Sequence, residues 1–278
     1  MSTITLPARP SLTGRVTAAF ADTADVAGRN LRTLFRTPQA LIFATVQPVI
    51  FVLLFRYAFG GAIHVPGVDY VDYLMPGIFA QSVCFGAIGT AVGLSADLRS
   101  GLLVRFRTLP MARIAVLAGR TLADLLTQAL GALVVAGVGL AIGWRIHTGV
   151  ADTLAAFGLA LLLGYAFTWA GACLGMALRS PEAAQQLGFI LFLPLTFVSN
   201  AFVPTQGMPG WLQAVANWNP LSALAAACRH LFGNPDPAAS IQVWPMQHPV
   251  EAVLLWSAAL LAVFAPLAVH LYRRKSLA

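Results

Sequence analysis

Six apolar stretches of about twenty residues each most constrain what this chain can fold into. They are residues 39–59, 73–94, 118–143, 153–178, 185–202 and 250–271. A helix of roughly 20 apolar residues crosses the ~30 Å hydrocarbon core of a bilayer. The chain is 58% hydrophobic and only 10% charged, with a mean hydropathy of +0.77, whereas soluble domains are about 25% charged. The sequence therefore predicts an all-α integral membrane protein with six transmembrane helices.

Basic residues are distributed unevenly among the segments that connect these stretches. If the N-terminus is cytoplasmic, only Arg56, Arg145 and Arg229 of the 17 basic residues lie on the external side. Short cytoplasmic loops carry such an excess of Lys and Arg. We therefore expect a multi-pass plasma-membrane protein with both termini in the cytoplasm. The net charge of +7 does not indicate a nucleic-acid partner, because the arginines cluster beside apolar stretches.

The segment before the first stretch, residues 1–38, is expected to be cytoplasmic. It lacks the continuous apolar core of a cleavable signal peptide. Apolar residues recur in it at helical spacing, and three arginines share another face. The apolar set is Val16, Phe20, Ala27, Leu31 and Leu34, and the basic set is Arg29, Arg32 and Arg36. This pattern predicts an amphipathic helix lying in the lipid headgroups; the alternative is a solvated basic tail.

Motifs for enzymatic chemistry or metal binding are missing from the sequence. The three cysteines and five histidines have no paired spacing, so we expect no metal site. A phosphate-binding loop needs a lysine within G-x-x-x-x-G-K-[ST], and the only lysine is Lys275. We therefore expect no enzyme activity and no cofactor bound by this chain. A six-span ion channel or membrane enzyme remains an alternative of another class.

The segment from Asp97 to Asp124 joins the second and third stretches and is basic and marked by a proline. Its arginines are Arg99, Arg105, Arg107, Arg113 and Arg120. The segment is long enough to serve as a docking surface for a cytoplasmic partner. Arg120 and Asp124 are four residues apart and share a helical face. An ion pair that anchors the third span is the favoured interpretation, with a proton relay as the alternative.

Two blocks of the sequence resemble a known family. The first block begins with an acidic residue, Asp97, followed by glycine four positions on. It continues with the pattern R-F-R-[ST]-L-P-M-x-R and ends with G-R-x-L-x-D, whose last residue is Asp124. The second contains Phe202-Val203-Pro204, Met208-Pro209-x-Trp211-Leu212, Asn219-Pro220 and Arg229. Their order along the chain resembles the type-2 ATP-binding-cassette (ABC-2) permeases, specifically the actinobacterial daunorubicin/doxorubicin-resistance exporter group. One departure is Val104, where that group often carries an acidic residue.

The resemblance implies a bacterial exporter of hydrophobic or amphipathic drugs or lipids. Two permease subunits, identical or different, would pair, and each would dock on a separate nucleotide-binding subunit that holds ATP and Mg. The implied coupling residues are Asp97, Arg99, Gly101, Leu102, Arg105, Phe106, Arg107, Leu109, Pro110 and Arg113. A polysaccharide or glycolipid exporter of the same superfamily is the alternative substrate class.

The domain organisation predicted is a single transmembrane domain over residues 1–278. After the cytoplasmic segment 1–38 come helices 1–5 (39–202), an external segment (203–249), and helix 6 with a cytoplasmic tail (250–278). Residues 209–232 are too apolar for a free loop, so we expect a re-entrant helical hairpin; the alternative is a covered external loop. Candidate external-gate residues are Phe202, Pro204, Pro209, Trp211, Asn219 and Pro220.

Polar and aromatic side chains within the apolar stretches are candidates for the substrate pathway. They are Gln81, Phe85, Gln128, Thr196, Phe197 and Asn200, with Thr196 and Asn200 both placed in the fifth span. The alternative for each polar member is helix–helix hydrogen bonding. Gly139/Gly143 and Gly171/Gly175 have the small-x-x-x-small spacing of helices that approach closely, either inside one protomer or between two.

Overall fold

The computed structural model of the chain describes residues 28, 38–60, 68–100, 113–178 and 180–275, with the backbone alone at 38–45, 113–117, 238 and 275. The expected amphipathic helix at the N-terminus and most of the loop between the second and third spans lie outside these residues. The helices are α1 (Pro38–Leu54), α2 (Tyr70–Arg99), α3 (Arg113–Ala141), α4 (Val150–Ala177), α5 (Pro181–Phe197), α6 (Gly210–Trp218), α7 (Pro220–Phe232), α8 (Trp244–Gln247) and α9 (Pro249–Lys275). The described ranges contain no strand, so the prediction of an all-α fold is confirmed.

Among the described residues, four helices are long and apolar enough to cross a membrane. They are Tyr70–Arg99, Ala118–Ala141, Val150–Ala177 and Pro249–Arg274. Two further helices coincide with predicted spans. Helix α1 continues into a π-helical turn, Phe55–Phe59, so that the helical segment extends from Pro38 to Phe59, and α5 has 17 residues. The chain is therefore a multi-pass membrane protein by the length and composition of its helices.

Helices α2 and α4 pack most closely and form the centre of the bundle, with α5 and α9 against them. The Gly171/Gly175 spacing serves this contact inside the subunit. A Cβ at Gly171 would clash with the backbone oxygen of Ala87, and one at Gly175 would clash with that of Ala91. Only glycine lets the two backbones approach this closely.

The fifth helix differs from its prediction at both ends, since α5 begins before Gln185 and ends at Phe197 rather than Phe202. Asn200 was therefore wrongly placed within a span, because it lies in the turn after the helix. The last helical bond runs from Val198 N to the oxygen of Pro194, at 2.8 Å. The side-chain Nδ2 of Asn219 then donates hydrogen bonds to the backbone oxygens of Leu195 and Val198. These oxygens therefore need no further partners from a continued helix.

Between α5 and α9 the chain forms α6 and α7 at the end of the bundle where α2, α4 and α9 begin. We call this the α7 end, and the opposite end, where α2 stops and α3 starts, the loop end. Helix α7 packs against α2, α4 and α9, and its residues from Pro220 to Arg229 are all buried. Helix α7 is therefore a packed part of the bundle and not a free loop.

Candidate functional site

Both stems of the loop between the second and third spans are helical. Helix α2 continues past Leu94 to Arg99, and α3 is described from Arg113, so both helices extend beyond the predicted spans toward the loop. Seven of the predicted coupling residues lie outside the described residues. They are Gly101, Leu102, Arg105, Phe106, Arg107, Leu109 and Pro110. Asp97, Arg99 and Arg113 fall on the two helical stems.

An ionic cluster joins these two stems. Arg120 Nη1 of α3 lies 2.9 Å from Asp97 Oδ2 of α2, and its Nε lies 3.2 Å from Asp124 Oδ1. Thr90 Oγ1 of α2 donates to Asp124 Oδ2 at 2.8 Å. We name Arg120, Asp97, Asp124 and Thr90 the Arg120 clamp. The pair expected from the i, i+4 spacing is thus present, but its bond to Asp97 was missed, because that contact spans 23 residues of sequence.

The clamp is partly removed from solvent. Its charged side chains are 19–28% exposed, so their ion pairs are less screened than pairs on a wet surface. The guanidinium of Arg120 lies directly over Gly93, where a Cβ would clash with it. The absence of a side chain at Gly93 therefore admits the arginine between the stems. This arrangement can transmit a movement of one stem to the other.

A second ion pair, between Arg99 Nη1 and Glu182 Oε1, links α2 to the start of α5 at 3.7 Å. Both side chains are well exposed, so this pair contributes little to stability.

The six candidate pathway residues do not form one site. Thr196 is buried and donates to its own helix at Phe192 O, as a packing residue does. Phe197 is half exposed and contacts Phe202, with ring centroids 5.9 Å apart. Asn200 is buried in the turn after α5, and its Nδ2 lies 3.6 Å from Met246 Sδ.

Two others, Phe85 and Gln128, line a cavity of about 130 Å³ between α1, α2 and α3. Gln128 of α3 reaches across to α2 and α4, where a Cβ at Gly86 or Gly164 would clash with its carboxamide. Its Nε2 is buried without a hydrogen-bond partner among the described residues, as is Nε2 of Gln81. Sequence alone did not indicate that Gln128 and Phe85 share a cavity whereas Gln81 lies outside its lining.

The candidate gate residues separate into buried and exposed groups at the α7 end. Phe202 is buried and stacks on Phe55 of the π-helical turn, with centroids 4.5 Å apart. Pro220 occupies the first turn of α7. Pro204 is half-buried and Pro209 is exposed. Trp211 of α6 is 72% exposed, as a side chain that contacts lipid headgroups would be.

Asn219 has two roles at the junction of α6 and α7. Its Oδ1 accepts the Leu221 N–H at 2.9 Å and so caps α7. Its Nδ2 donates to Leu195 O at 2.6 Å and to Val198 O. The Asn219 side chain thus caps the start of α7, and its Nδ2 also binds the oxygens at the end of α5. These bonds hold α7 against the end of α5.

Arg229 is the strongest feature that sequence reasoning left out of the candidate site. It is fully buried on α7 and donates to the backbone oxygens of Tyr73 at 3.1 Å, Asn200 at 2.8 Å and Ala201 at 3.4 Å. Its Nη1 lies 3.4 Å from Asp236 Oδ1. The available signal was an arginine within an otherwise apolar helix, because a buried charge requires dedicated partners.

An aromatic cluster beside Arg229 was also missed. Trp144 is fully buried, packs at right angles on Phe232 and contacts Phe79. Its indole nitrogen donates to Asn234 Oδ1 at 3.2 Å, and Asn234 Nδ2 donates to Arg145 O at 3.1 Å. The connection between α3 and α4 is thereby fastened to the end of α7.

No group of three or more His, Cys, Asp or Glu side chains suited to a metal ion occurs in the part of the chain that the structure describes. The candidate sites accordingly offer ion pairs, hydrogen bonds and apolar contacts. These are means of holding helices and binding organic molecules.

Comparison with known proteins identifies the family. Residues 25–232 match the model of the family described as ABC-2 type transporter. A relative from Streptomyces coeruleorubidus, the daunorubicin resistance ABC transporter permease protein DrrB1, is 36% identical over 86% of this chain and 81% of its own length. The probable doxorubicin resistance ABC transporter permease protein DrrC of Mycobacterium tuberculosis is 29% identical, over 85% and 82%. The putative transport permease ycf38 of Pyropia yezoensis is 28% identical, over 72% and 70%.

These matches confirm the family resemblance seen in the sequence motifs. The helical membrane fold agrees with them, since α2, α3, α4 and α9 each have the length and composition of a span. Family membership also disfavours the ion-channel and membrane-enzyme alternatives. The chain belongs to the ABC-2 type transporter family and is a membrane permease subunit of an ATP-binding-cassette transporter.

Proposed function

We propose that this permease exports hydrophobic or amphipathic drugs or lipids across a bacterial plasma membrane. In this proposal the whole chain is one transmembrane domain, with α1 to α5 and α9 as its six spans. The loop end faces the cytoplasm and the α7 end faces outward. The distribution of Arg and Lys supports this orientation, because all but three of the 17 lie in segments assigned to the cytoplasm.

The energy for transport would come from a separate ATPase subunit that binds ATP and Mg. Its docking surface would be residues 100–112 with the adjoining stems, where Phe106 and Leu109 supply apolar contact. Arg105 and Arg107 would donate charge-assisted hydrogen bonds to acidic groups of the ATPase. A second permease subunit, identical or different, would complete the transporter.

The Arg120 clamp is the observation that carries this proposal. A partner that moves residues 100–112 pulls on the ends of both α2 and α3. Because Arg120 bonds Asp97 at 2.9 Å, the two stems would move together instead of separating. Helix α2 in turn packs along α4 and α5, so a displacement at the loop end would reach the centre of the bundle.

At the opposite end, α6 and α7 would form the external gate as a re-entrant pair of helices. The burial of α7 and the anchoring of Arg229 support this assignment. Trp211 would lie among the headgroups of the outer leaflet. Phe202, stacked on Phe55, would close the path between α1 and the turn after α5.

The substrate class is proposed from two sources. Relatives of this chain are named for daunorubicin and doxorubicin resistance, and the cavity between α1, α2 and α3 is lined mainly by apolar and small residues. A polysaccharide or glycolipid exporter of the same superfamily remains the alternative substrate class.

Co-purification tests whether a separate ATPase subunit binds this permease. The tagged permease, expressed with an ATPase encoded beside its gene, should retain that ATPase in mild detergent. Phe106→Asp should release the ATPase, whereas Phe106→Leu, which keeps the apolar contact, should retain it. Equal recovery with Phe106→Asp and the unsubstituted permease would contradict docking through this loop.

A further inference from the structure

Three polar side chains of α3 meet α2 along one seam that starts at the Arg120 clamp. Arg120, Asp124 and Gln128 follow one another at intervals of four residues, so they share one face of α3. Arg120 lies over Gly93 of α2, and the carboxamide of Gln128 lies where a Cβ of Gly86 would be. Gln128 is therefore part of the same helix contact as the clamp, further from the loop.

The carboxamide of Gln128 also joins α3 to α4. Its Oε1 lies where a Cβ of Gly164 would be, and its Nε2 lies against Gly86. We call Gly86 and Gly164 the glycine notch, because the absence of their side chains admits the carboxamide. In this inserted position Gln128 fixes the middle of α3 to α2 and to α4 at once.

The inserted carboxamide is not fully hydrogen-bonded. Gln128 Nε2 is buried and has no partner among the described residues. A buried donor without an acceptor is costly, above all within the hydrocarbon region of a membrane. A second position in which this donor finds an acceptor would therefore compete with the inserted one.

A cavity and an acceptor lie beside the glycine notch. Gln128, Gly86 and Ser82 all line the cavity of about 130 Å³ between α1, α2 and α3. Ser82 is one helical turn from Gly86 on the same face of α2. Its hydroxyl donates to Ile78 O at 2.8 Å, so a lone pair of Ser82 Oγ can accept. Rotation of the Gln128 side chain out of the notch would bring Nε2 into the cavity, toward this oxygen.

Two other hydroxyls in the lining are less suitable acceptors. Thr90 Oγ1 is engaged in the Arg120 clamp, where it donates to Asp124 Oδ2 at 2.8 Å. Thr127 is the immediate neighbour of Gln128 on α3, and adjacent residues of a helix do not face each other. Ser82 is therefore the acceptor that the geometry favours.

We propose that Gln128 is a conformational switch that alternates between the inserted position and a withdrawn position in the cavity, where Nε2 donates to Ser82 Oγ. The withdrawn carboxamide no longer reaches Gly164. The part of α3 between the notch and the loop end then stays with α2 and can move away from α4. The proposal rests on the proposed transport function and adds to it the step that releases α3 from α4.

Distances between spin labels resolve the two positions in the permease alone. Leu122 of α3 and Ala177 of α4 are exposed toward the loop end, and the three native cysteines are buried. A thiol-reactive spin label therefore attaches to the pair Leu122→Cys and Ala177→Cys. Double electron–electron resonance in phosphatidylcholine nanodiscs, without ATPase or ATP, should give two distances. The shorter distance belongs to the inserted position.

Two substitutions should shift these populations in opposite directions. Gln128→Leu keeps the approximate volume and removes the unpaired donor, so it should raise the ratio of short to long distances about tenfold, the equivalent of one hydrogen bond. Gly86→Ala places a methyl group against the carboxamide in the notch and should favour the long distance. Gly137→Ala, at a position of α3 with no described atom within 4 Å of an added carbon, should leave the ratio unchanged.

Ser82→Ala tests the acceptor of the withdrawn position. It should raise the ratio of short to long distances about as much as Gln128→Leu does. The control is Ser95→Ala, because Ser95 is also on α2 and donates within its own helix, to Val92 O at 3.0 Å, but lies outside the cavity lining. Ser95→Ala should not change the ratio.

Thermal unfolding and transport separate the switch from a purely structural role. A structural role predicts that Gln128→Leu lowers both the unfolding midpoint and ATP-driven uptake. The switch predicts a midpoint at or above that of the unsubstituted permease, because the unpaired donor is gone, with uptake about tenfold slower.

A single distance in the unsubstituted permease would overturn the switch, as would equal ratios in Gln128→Leu and Gly86→Ala. Normal uptake by Gln128→Leu in a complex that transports would also overturn it. The distances are measured without ATPase or drug, so their failure contradicts the switch. An absence of ATP-driven uptake by the unsubstituted permease contradicts the exporter instead.

Discussion

The guanidinium of Arg229 lies over the ring of Tyr73, 3.8 Å from the ring centroid, and donates to the backbone oxygen of the same residue. Tyr73 in turn donates through its hydroxyl to Asn200 O at 2.6 Å, an oxygen that Arg229 also contacts. The first turn of α2, the turn after α5 and helix α7 therefore meet at one buried cation. Its removal takes one hydrogen-bond donor away from each of three buried backbone oxygens.

Arg229→Met is expected to destabilise the permease strongly. The substitution keeps apolar volume but leaves three backbone oxygens and Asp236 without the guanidinium, and breaking a buried pair costs about 3–5 kcal/mol. Arg229→Lys should recover only part of this, because an ammonium cannot replace the planar fork. Thermal unfolding in detergent measures the effect, with Arg274→Met, an exposed arginine of α9, as the control. Equal midpoints for the Arg229 and Arg274 variants would refute the anchoring role.

Asn219→Asp separates the two roles of Asn219. Aspartate caps helices as well as asparagine does, so it preserves the bond to Leu221 N. It also places a carboxylate against the oxygens of Leu195 and Val198, which now receive N–H donors. We expect Asn219→Asp to be at least as destabilising as Asn219→Ala, by about 1–3 kcal/mol. Near-normal stability of the Asp variant would mean that only the cap of α7 matters.

Gly171→Ala tests the close contact of α2 with α4. Its added methyl group meets the backbone oxygen of Ala87, and overpacking of this kind costs about 1–3 kcal/mol. Gly158 lies on the same helix with no described atom within 4 Å of an added carbon. Gly158→Ala should therefore be neutral or stabilising, by up to about 1 kcal/mol. The comparison is made by thermal unfolding, and a similar midpoint for the two variants would contradict the close approach.

Asp97→Asn is expected to uncouple transport from ATP hydrolysis. It weakens the bond between the two stems without altering the apolar and basic residues of 100–112 proposed to bind the ATPase. ATP-driven transport should fall about tenfold or more, with the ATPase still bound. Arg56→Gln removes a partly exposed ion pair of 3.1 Å with Asp69, which lies outside the proposed docking surface, and should have little effect. Transport that is equally reduced by both substitutions would point to a general effect of surface charge.

Sequence patterns predicted the features that depend on local chemistry. Uninterrupted apolar runs placed α2, α3, α4 and α9, and i, i+4 spacing predicted the Arg120–Asp124 pair. The Gly171/Gly175 spacing indicated a close helix contact. Each of these is decided within one helix, so periodicity and composition suffice.

The features that were missed depend on residues distant in the chain. The end of α5 at Phe197 is stabilised by Asn219, and the hydrogen bonds of Arg229 are accepted mainly by backbone oxygens from α2 and from the turn after α5. Backbone acceptors carry no sequence signature. The shared cavity of Phe85 and Gln128 likewise depends on the angle between α2 and α3, which composition does not specify.

ATP-driven accumulation of daunorubicin in inside-out proteoliposomes tests the central claim most directly. The permease is reconstituted with its ATPase, and uptake is followed by quenching of drug fluorescence after ATP and Mg are added. The account predicts uptake that requires ATP, persists in Phe106→Leu and is abolished in Phe106→Asp, although the Asp variant inserts normally. Uptake that is independent of ATP, or that is normal in a properly inserted Phe106→Asp variant, would contradict it.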